Sequence, residues 1–302
     1  MKKTLSLILI LSMMFSLIAC NNNSKEADSN HTKLAVSVTF NAMAEFAQAV
    51  GQDKVDVTTI IPAGTEPHDF EPKAADITGI SKASVFIYNG LGMESWVDDA
   101  ISAAENDNLV VIDSSLHSDP IQNTEEEEIE EHGSYDPHLW LGIKSAQIQV
   151  QNIADGLAKA DPDNKEFYEK NATEYIGQLE AIYSEYKDKF ASIENKSFVT
   201  GHAAFHYFCK DFGLTQNSVE DVFAEGEPST QQLANLVDYC KTNHVTTIFA
   251  EDMASPEISQ TLANEVGADV QIIHTMESKE NDVTYLDRMK DNCEKIYTSL
   301  SK

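Results

Sequence analysis

Behind Lys2 and Lys3 the chain opens on an apolar run, Leu5 to Ile18. It is too short and too early for an ordinary membrane span and reads as the core of an export signal. From residue 33 onward short apolar runs alternate with stretches of helical period. Lys33–Val38, Val55–Ile61, Ser84–Tyr88 and Leu109–Ile112 read as strands, and Asn41–Val50, Ala75–Lys82 and Glu94–Ala104 as helices. The theme returns after residue 193, with strands at Phe198–Thr200, Val245–Ala250 and Asp269–Ile273. Helices there cover Ala203–Phe212, Thr230–Thr242, Glu257–Val266 and Tyr285–Leu300. Strands alternating with helices imply βα units and a mostly parallel sheet in each half. Between the halves lies one long pattern, Asp163 to Ser192, whose apolar positions from Phe167 to Phe190 step mostly by three and four. That is an amphipathic helix of about 45 Å, opened by Asp161-Pro162, and it predicts a rigid strut rather than a loose hinge. The expected fold is α/β, two lobes each with a mostly parallel sheet flanked by helices, joined by this helix.

The signal run closes at Leu17-Ile18-Ala19-Cys20, which resembles the lipobox of bacterial lipoproteins. There cleavage precedes the Cys, and the new N-terminus carries lipid. Residues 1–19 are then a removed signal, and 20–32, polar and aperiodic, a tether from Cys20. The expected location is extracytoplasmic, anchored to the cell membrane by lipid. Three cysteines remain, Cys209, Cys240 and Cys293. A bridge between Cys240 and Cys293 is possible in such a compartment, and three buried thiols are the alternative. No CxxC is present, so a thiolate metal site has no support.

Charge narrows the partners. The chain of 302 residues carries 50 Asp+Glu against 21 Lys+Arg, a net charge of −29, and Arg288 is its one arginine. Nucleic-acid binding needs a basic face and is excluded. An acidic surface attracts cations instead. Nine acids and no Lys or Arg fall in the loop 113–136, including Glu125, Glu126, Glu127 and Glu128, and His117 and His132 flank that run. A solvated loop is the usual reading of such a run, and an accessory collector of metal ions is the functional one.

No GxSxG, HExxH, P-loop or GxGxxG is present, so nucleophilic, metalloprotease and nucleotide chemistry have no motif. The nine histidines are more informative. Four stand apart from tether, acidic loop and strand edges: His68, His138, His202 and His206. His68 lies in a Pro-rich loop after a strand, His138 follows Pro137 at the end of a loop, and His202 sits where a strand meets a helix. Loops at the carboxyl edge of α/β sheets gather ligands. Three imidazoles converging there would suit a borderline cation.

Five segments in order, GTEPHDFEP (64–72), DPHLWL (136–141), GHAAFHYF (201–208), EGEPST (225–230) and FAED (249–252), together resemble the metal-binding substrate-binding proteins of ABC importers, the cluster that takes up zinc or manganese. The resemblance spans the chain beyond the tether. It implies two α/β lobes joined by a rigid helix, with one metal ion in the cleft. The boundaries expected are 33–160 for the N-terminal lobe, 161–193 for the linking helix and 194–302 for the C-terminal lobe. The ligands it implies are His68, His138 and His202, with Glu277 as the fourth. Thr275-Met276 replaces the Pro-Leu usual before that Glu, and Glu280 and Asp282 are its nearby alternatives. Manganese-type members place Glu at the third position, where this chain has His202. Three imidazoles and one carboxylate suit Zn²⁺ better than Mn²⁺, which prefers more oxygen. His206 is read as a spectator. The function implied is capture of Zn²⁺ and delivery to an ABC permease in the membrane, by a monomer. The manganese-type protein is the nearest alternative. A His₃ zinc hydrolase would need an open coordination position and a general base, and an adhesin role leaves no mark of its own.

Overall fold

The computed structural model describes residues 33–123, 129, 133–222, 229–251, 257–279 and 282–302. Cys20, Glu125–Glu128, His132 and Glu280, together with most of the segment 225–230, lie outside the described residues.

Two four-stranded parallel sheets carry the fold. The first contains β1 (Leu34–Val38), β2 (Val55–Thr59), β3 (Val85–Tyr88) and β4 (Val110–Asp113), in the order β2-β1-β3-β4. The second contains β5 (Ser197–Thr200), β6 (Thr215–Ser218), β7 (Thr247–Glu251) and β8 (Asp269–Ile273), in the order β6-β5-β7-β8. Both sheets therefore reverse direction between their first and third strands, which opens a crevice at the carboxyl ends. Val36, Val38, Phe86 and Ile87 are all buried although neighbours point to opposite faces, as a sheet covered on both sides requires.

Around the first sheet run α1 (Asn41–Gly51), α2 (Ala74–Lys82), α3 (Val97–Ala104) and α4 (Ile143–Ala160). The second sheet carries α6 (His206–Phe212), α7 (Thr230–Thr242), α8 (Glu257–Val266) and α9 (Tyr285–Leu300). The long helix, α5, runs unbroken over Lys165–Ser192. Its 28 residues span about 42 Å. A 3₁₀ turn at Pro162–Asn164 takes up its predicted first residues. Near its start Tyr175 meets Phe46 of α1, at 6.1 Å between ring centroids. Near its end Phe190 meets Phe212 of α6 at 4.7 Å and Tyr297 of α9 at 5.9 Å. One apolar cluster runs from Val36 and Phe46 through Leu179 and Phe190 to Phe249 and Ile296. The two halves thus share a dry core, and the strut is buried along one face rather than crossing open solvent.

Two elements fall outside the sequence pattern. The buried face of α4 mixes Ser145 and Gln149 with Ile143, Val150 and Ile153, so its hydropathy is muted. Those polar groups are satisfied: Gln149 Nε2 donates to Asn89 Oδ1 at 2.8 Å. Strand β6, Thr-Gln-Asn-Ser, has no apolar alternation and is held by backbone pairing to β5. The helix read from Glu94 begins at Val97, because the Glu94 carboxylate turns back to accept from Asn89 N at 2.9 Å and Gly90 N at 3.1 Å.

The bridge between Cys240 and Cys293 is not formed. Cys209, Cys240 and Cys293 are buried free thiols. Cys240 packs with Val199 and Ile248, whereas Cys293 belongs to the cluster with Phe198 and Phe249. Successive strand residues point to opposite faces, so the second sheet stands between the two sulfurs. A reducing agent should therefore leave the melting temperature of the folded protein unchanged. A fall on reduction, measured by calorimetry, would reveal a bridge.

Candidate metal centre

The four predicted ligands meet at the carboxyl edges of both sheets. His68 follows β2, His138 follows β4, His202 follows β5 and Glu277 follows β8. One donor atom from each lies within 4.8 Å of every other. His138 Nε2 is 3.2 Å from His68 Nε2 and 3.3 Å from His202 Nε2. Two nitrogens held at about 2.0–2.1 Å by one tetrahedral ion lie about 3.3 Å apart, so the rings already have the spacing of a filled site. His138, His202 and Glu277 are buried, and His68 is partly exposed.

The far nitrogen of two rings is fixed by a carboxylate, which sets the tautomer and aims the near nitrogen at the centre. Asp136 Oδ1 takes His138 Nδ1 at 2.9 Å and also the His138 backbone N–H at 2.8 Å. Glu251, the last residue of β7, takes His202 Nδ1 at 2.5 Å and the His202 backbone N–H at 2.8 Å. A side chain at Gly201 would put its Cβ 3.1 Å from Glu251 Oε1, so the glycine leaves room for that carboxylate. Asn89 Nδ2 donates to Pro137 O at 2.8 Å and steadies the loop that presents His138. His206 is not among the converging donors; its Nδ1 meets Asp136 Oδ2 at 2.8 Å. It belongs to the support of His138 through that shared carboxylate. His117 is exposed and joins no cluster of metal-ligating side chains among the described residues.

Asp136, Glu251 and Glu66 contact the three histidines and are not singled out by the sequence as site residues. Asp136 and Glu251 stood inside the DPH and FAED segments, where a carboxylate beside a ligand-bearing loop was the available signal. Glu66 Oε1 accepts from His68 N at 3.4 Å. Its carboxyl is pushed above the ordinary range by burial, with the charges of Glu251 and Asp69 adding to that.

The electrostatics are those of a cation site. Burial pushes the Glu277 carboxyl up to about 8, with Glu66 and Glu251 acting in the same direction. Burial lowers His138, only partly opposed by Asp136, so this ring is neutral. Burial would lower His202 too, but the Glu251 charge and hydrogen bond, with Glu277 and Glu66, outweigh it and hold the ring up to about 10. Glu277 Oε2 accepts from Thr275 Oγ1 at 2.9 Å, while Oε1 is buried with no hydrogen-bond partner. A buried carboxylate oxygen left in this way is costly unless a cation completes it.

Two α/β halves on a long shared helix, with three histidines and a glutamate converging between them, define a metal-binding substrate-binding protein of an ABC importer. The model of the family described as "ZnuA: Zinc-uptake complex component A periplasmic" matches residues 36–299, and the chain belongs to this family. It is 39% identical to the high-affinity zinc uptake system protein ZnuA of Bacillus subtilis, over 99% of this chain and 98% of that one. It is 32% identical to the manganese ABC transporter substrate-binding lipoprotein PsaA of Streptococcus anginosus, over the full length of both. A solved mutant structure of the laminin-binding adhesin Lmb of Streptococcus agalactiae superposes with a TM-score of 0.82 at 32% identity, covering 88% of this chain and 99% of that one. The family is one of binding proteins, not enzymes. Among the described residues no helix is long and apolar enough to cross a membrane.

Because Glu277 and His202 hold protons near neutrality and an ion needs both groups bare, metal binding should release protons. Affinity should therefore rise with pH through about 8 and on towards about 10. Calorimetric titration of Zn²⁺ at pH 7, in two buffers of different ionisation enthalpy, should give different apparent heats. Identical heats would mean that both groups are already deprotonated.

Proposed function

We propose that the protein captures Zn²⁺ outside the cytoplasmic membrane through His68, His138, His202 and Glu277 and hands it to an ABC permease. A lipid on Cys20 would keep it at the membrane as a monomer. The observation that carries the reading is the donor set: His138 Nε2 at 3.2 Å from His68 Nε2 and 3.3 Å from His202 Nε2, and one carboxylate oxygen without a partner, all donor atoms within 4.8 Å of one another. Three nitrogens and one oxygen suit a four-coordinate Zn²⁺, while Mn²⁺ favours a shell of six oxygens. Relatives named for zinc and for manganese both occur, so the donor chemistry rather than the kinship supports the choice. Glu277 as fourth ligand closes the site, which leaves no position for the activated water of a hydrolase.

Substituting His68, His138 or His202 by Ala should weaken Zn²⁺ binding by more than about tenfold each, about 1.4 kcal/mol. Competitive titration of Zn²⁺ against Mn²⁺ on the purified protein decides the cargo. Tighter Mn²⁺ binding would overturn the zinc assignment. The acidic loop, with His117 at its start, is proposed as an accessory collector of ions. Deleting residues 122–131 should slow Zn²⁺ capture at low ionic strength and leave the equilibrium affinity in place. Stopped-flow and calorimetric measurements on the deletion protein separate the two effects.

A further inference from the structure

The segment Thr275–Ser278 leaves the carboxyl end of β8 and carries Glu277, so by chain order it belongs to the second half. Its hydrogen bonds tell otherwise. Trp140 Nε1 donates to Thr275 O at 2.7 Å, Asn41 Nδ2 to Met276 O at 3.4 Å and Asn41 N to Glu277 O at 3.2 Å. Arg288 Nη1 donates to Ser278 O at 2.9 Å, and Ser278 Oγ accepts from Gly64 N at 2.8 Å. Four consecutive carbonyls are thus pinned. Three of the pins come from Asn41, the first residue of α1, and from Trp140, two residues after His138. The N–H of Asn41 is one of the donors that a helix start leaves without an intrahelical acceptor, and here the Glu277 carbonyl fills that role.

The pins are themselves anchored. Asn41 Nδ2 also donates to Glu45 Oε1 at 2.8 Å, and Glu45 pairs with the fully buried Arg288. Met276 is buried with φ +61°, a left-handed conformation that a methionine keeps only when its surroundings over-determine it. Oε2 is occupied by Thr275 Oγ1 and Oε1 has no hydrogen-bond partner, so Glu277, which has a carboxylate oxygen within 4.8 Å of the three imidazole donors, has one oxygen left unengaged.

We infer that Asn41 and Trp140 are specificity-determining positioning residues, which hold Glu277 in a one-oxygen pose and so fix the site at four donors. The inference rests on the reading of His68, His138, His202 and Glu277 as the metal set. A carboxylate that cannot swing to give its second oxygen favours a tetrahedral ion and rejects one that needs a larger oxygen shell. Loosening the strap should relax that choice rather than merely destabilise the protein.

The test uses the full chain with Asn41→Ala and with Trp140→Phe, which keeps an aromatic side chain, though a smaller one, and removes the indole N–H. Three readings are taken: competitive titration of Zn²⁺ against Mn²⁺, the visible spectrum with Co²⁺, and the melting temperature without metal. Zn²⁺ affinity should fall by about tenfold in each variant while Mn²⁺ affinity stays within about twofold, so the ratio moves. The Co²⁺ spectrum should pass from the intense bands of a tetrahedral ion to the weak bands of five or six ligands. Variants that melt lower yet keep both the ratio and the Co²⁺ spectrum would overturn the inference. A wild-type preference for Mn²⁺ would instead overturn the zinc reading, and the shift of ratio on substitution would still judge the strap.

Discussion

Three imidazole rings converge, with His138 Nε2 3.2 Å from His68 Nε2 and 3.3 Å from His202 Nε2, and the surrounding architecture holds them there. Each ring is delivered by a different strand, so no local motif could hold them. Asp136 and Glu251 each grip a histidine twice, by ring nitrogen and by backbone N–H, which fixes position and tautomer together. The shared core between the halves supplies the rest. Phe40 against Trp140 and Phe46 against Tyr285, both at 4.8 Å between ring centroids, join the first half to the elements beside the site. Spreading of the rings in a softer joint is opposed here by packing, and a cation at their centre would take the place of the protons on His202 and Glu277.

Much of this was legible in the sequence, and the divisions are physical. Strands such as Val85–Tyr88 and helices such as Thr230–Thr242 announce themselves because burial imposes a period on their apolar residues. The three histidines were legible because they stand beside Pro, Gly and strand ends, where an α/β sheet presents its loops. The helix Ile143–Ala160 was hidden by the polar groups on its buried face, which are satisfied by partners distant in sequence, such as Asn89. The same limit hid the carboxylates behind the ligands. Asp136 lies two residues from His138 and could be suspected, but Glu251 meets His202 across 49 positions of chain, a pairing that depends on β5 lying beside β7. A disulfide between Cys240 and Cys293 was open to the sequence for the complementary reason: helix spacing does not tell which face of a sheet a helix covers.

The parallel order of the two sheets explains why one site suffices for both halves. Each sheet has its reversal between the first and third strands, and the loops on either side of that reversal diverge to open a crevice. Facing two such edges across one core brings four loops to a common point. Charge is then distributed by function. The carboxylates around the metal set are buried and tied to histidines or to backbone N–H groups, whereas acids such as Glu169, Glu174 and Glu185 stand half-exposed in i,i+4 pairs with lysines along α5. Exposed pairs of that kind contribute about 0.3–0.5 kcal/mol and are screened by salt. The net charge of −29 therefore acts at long range, raising the local concentration of cations. Selection among those cations falls to a handful of buried groups whose geometry the core does not allow to change.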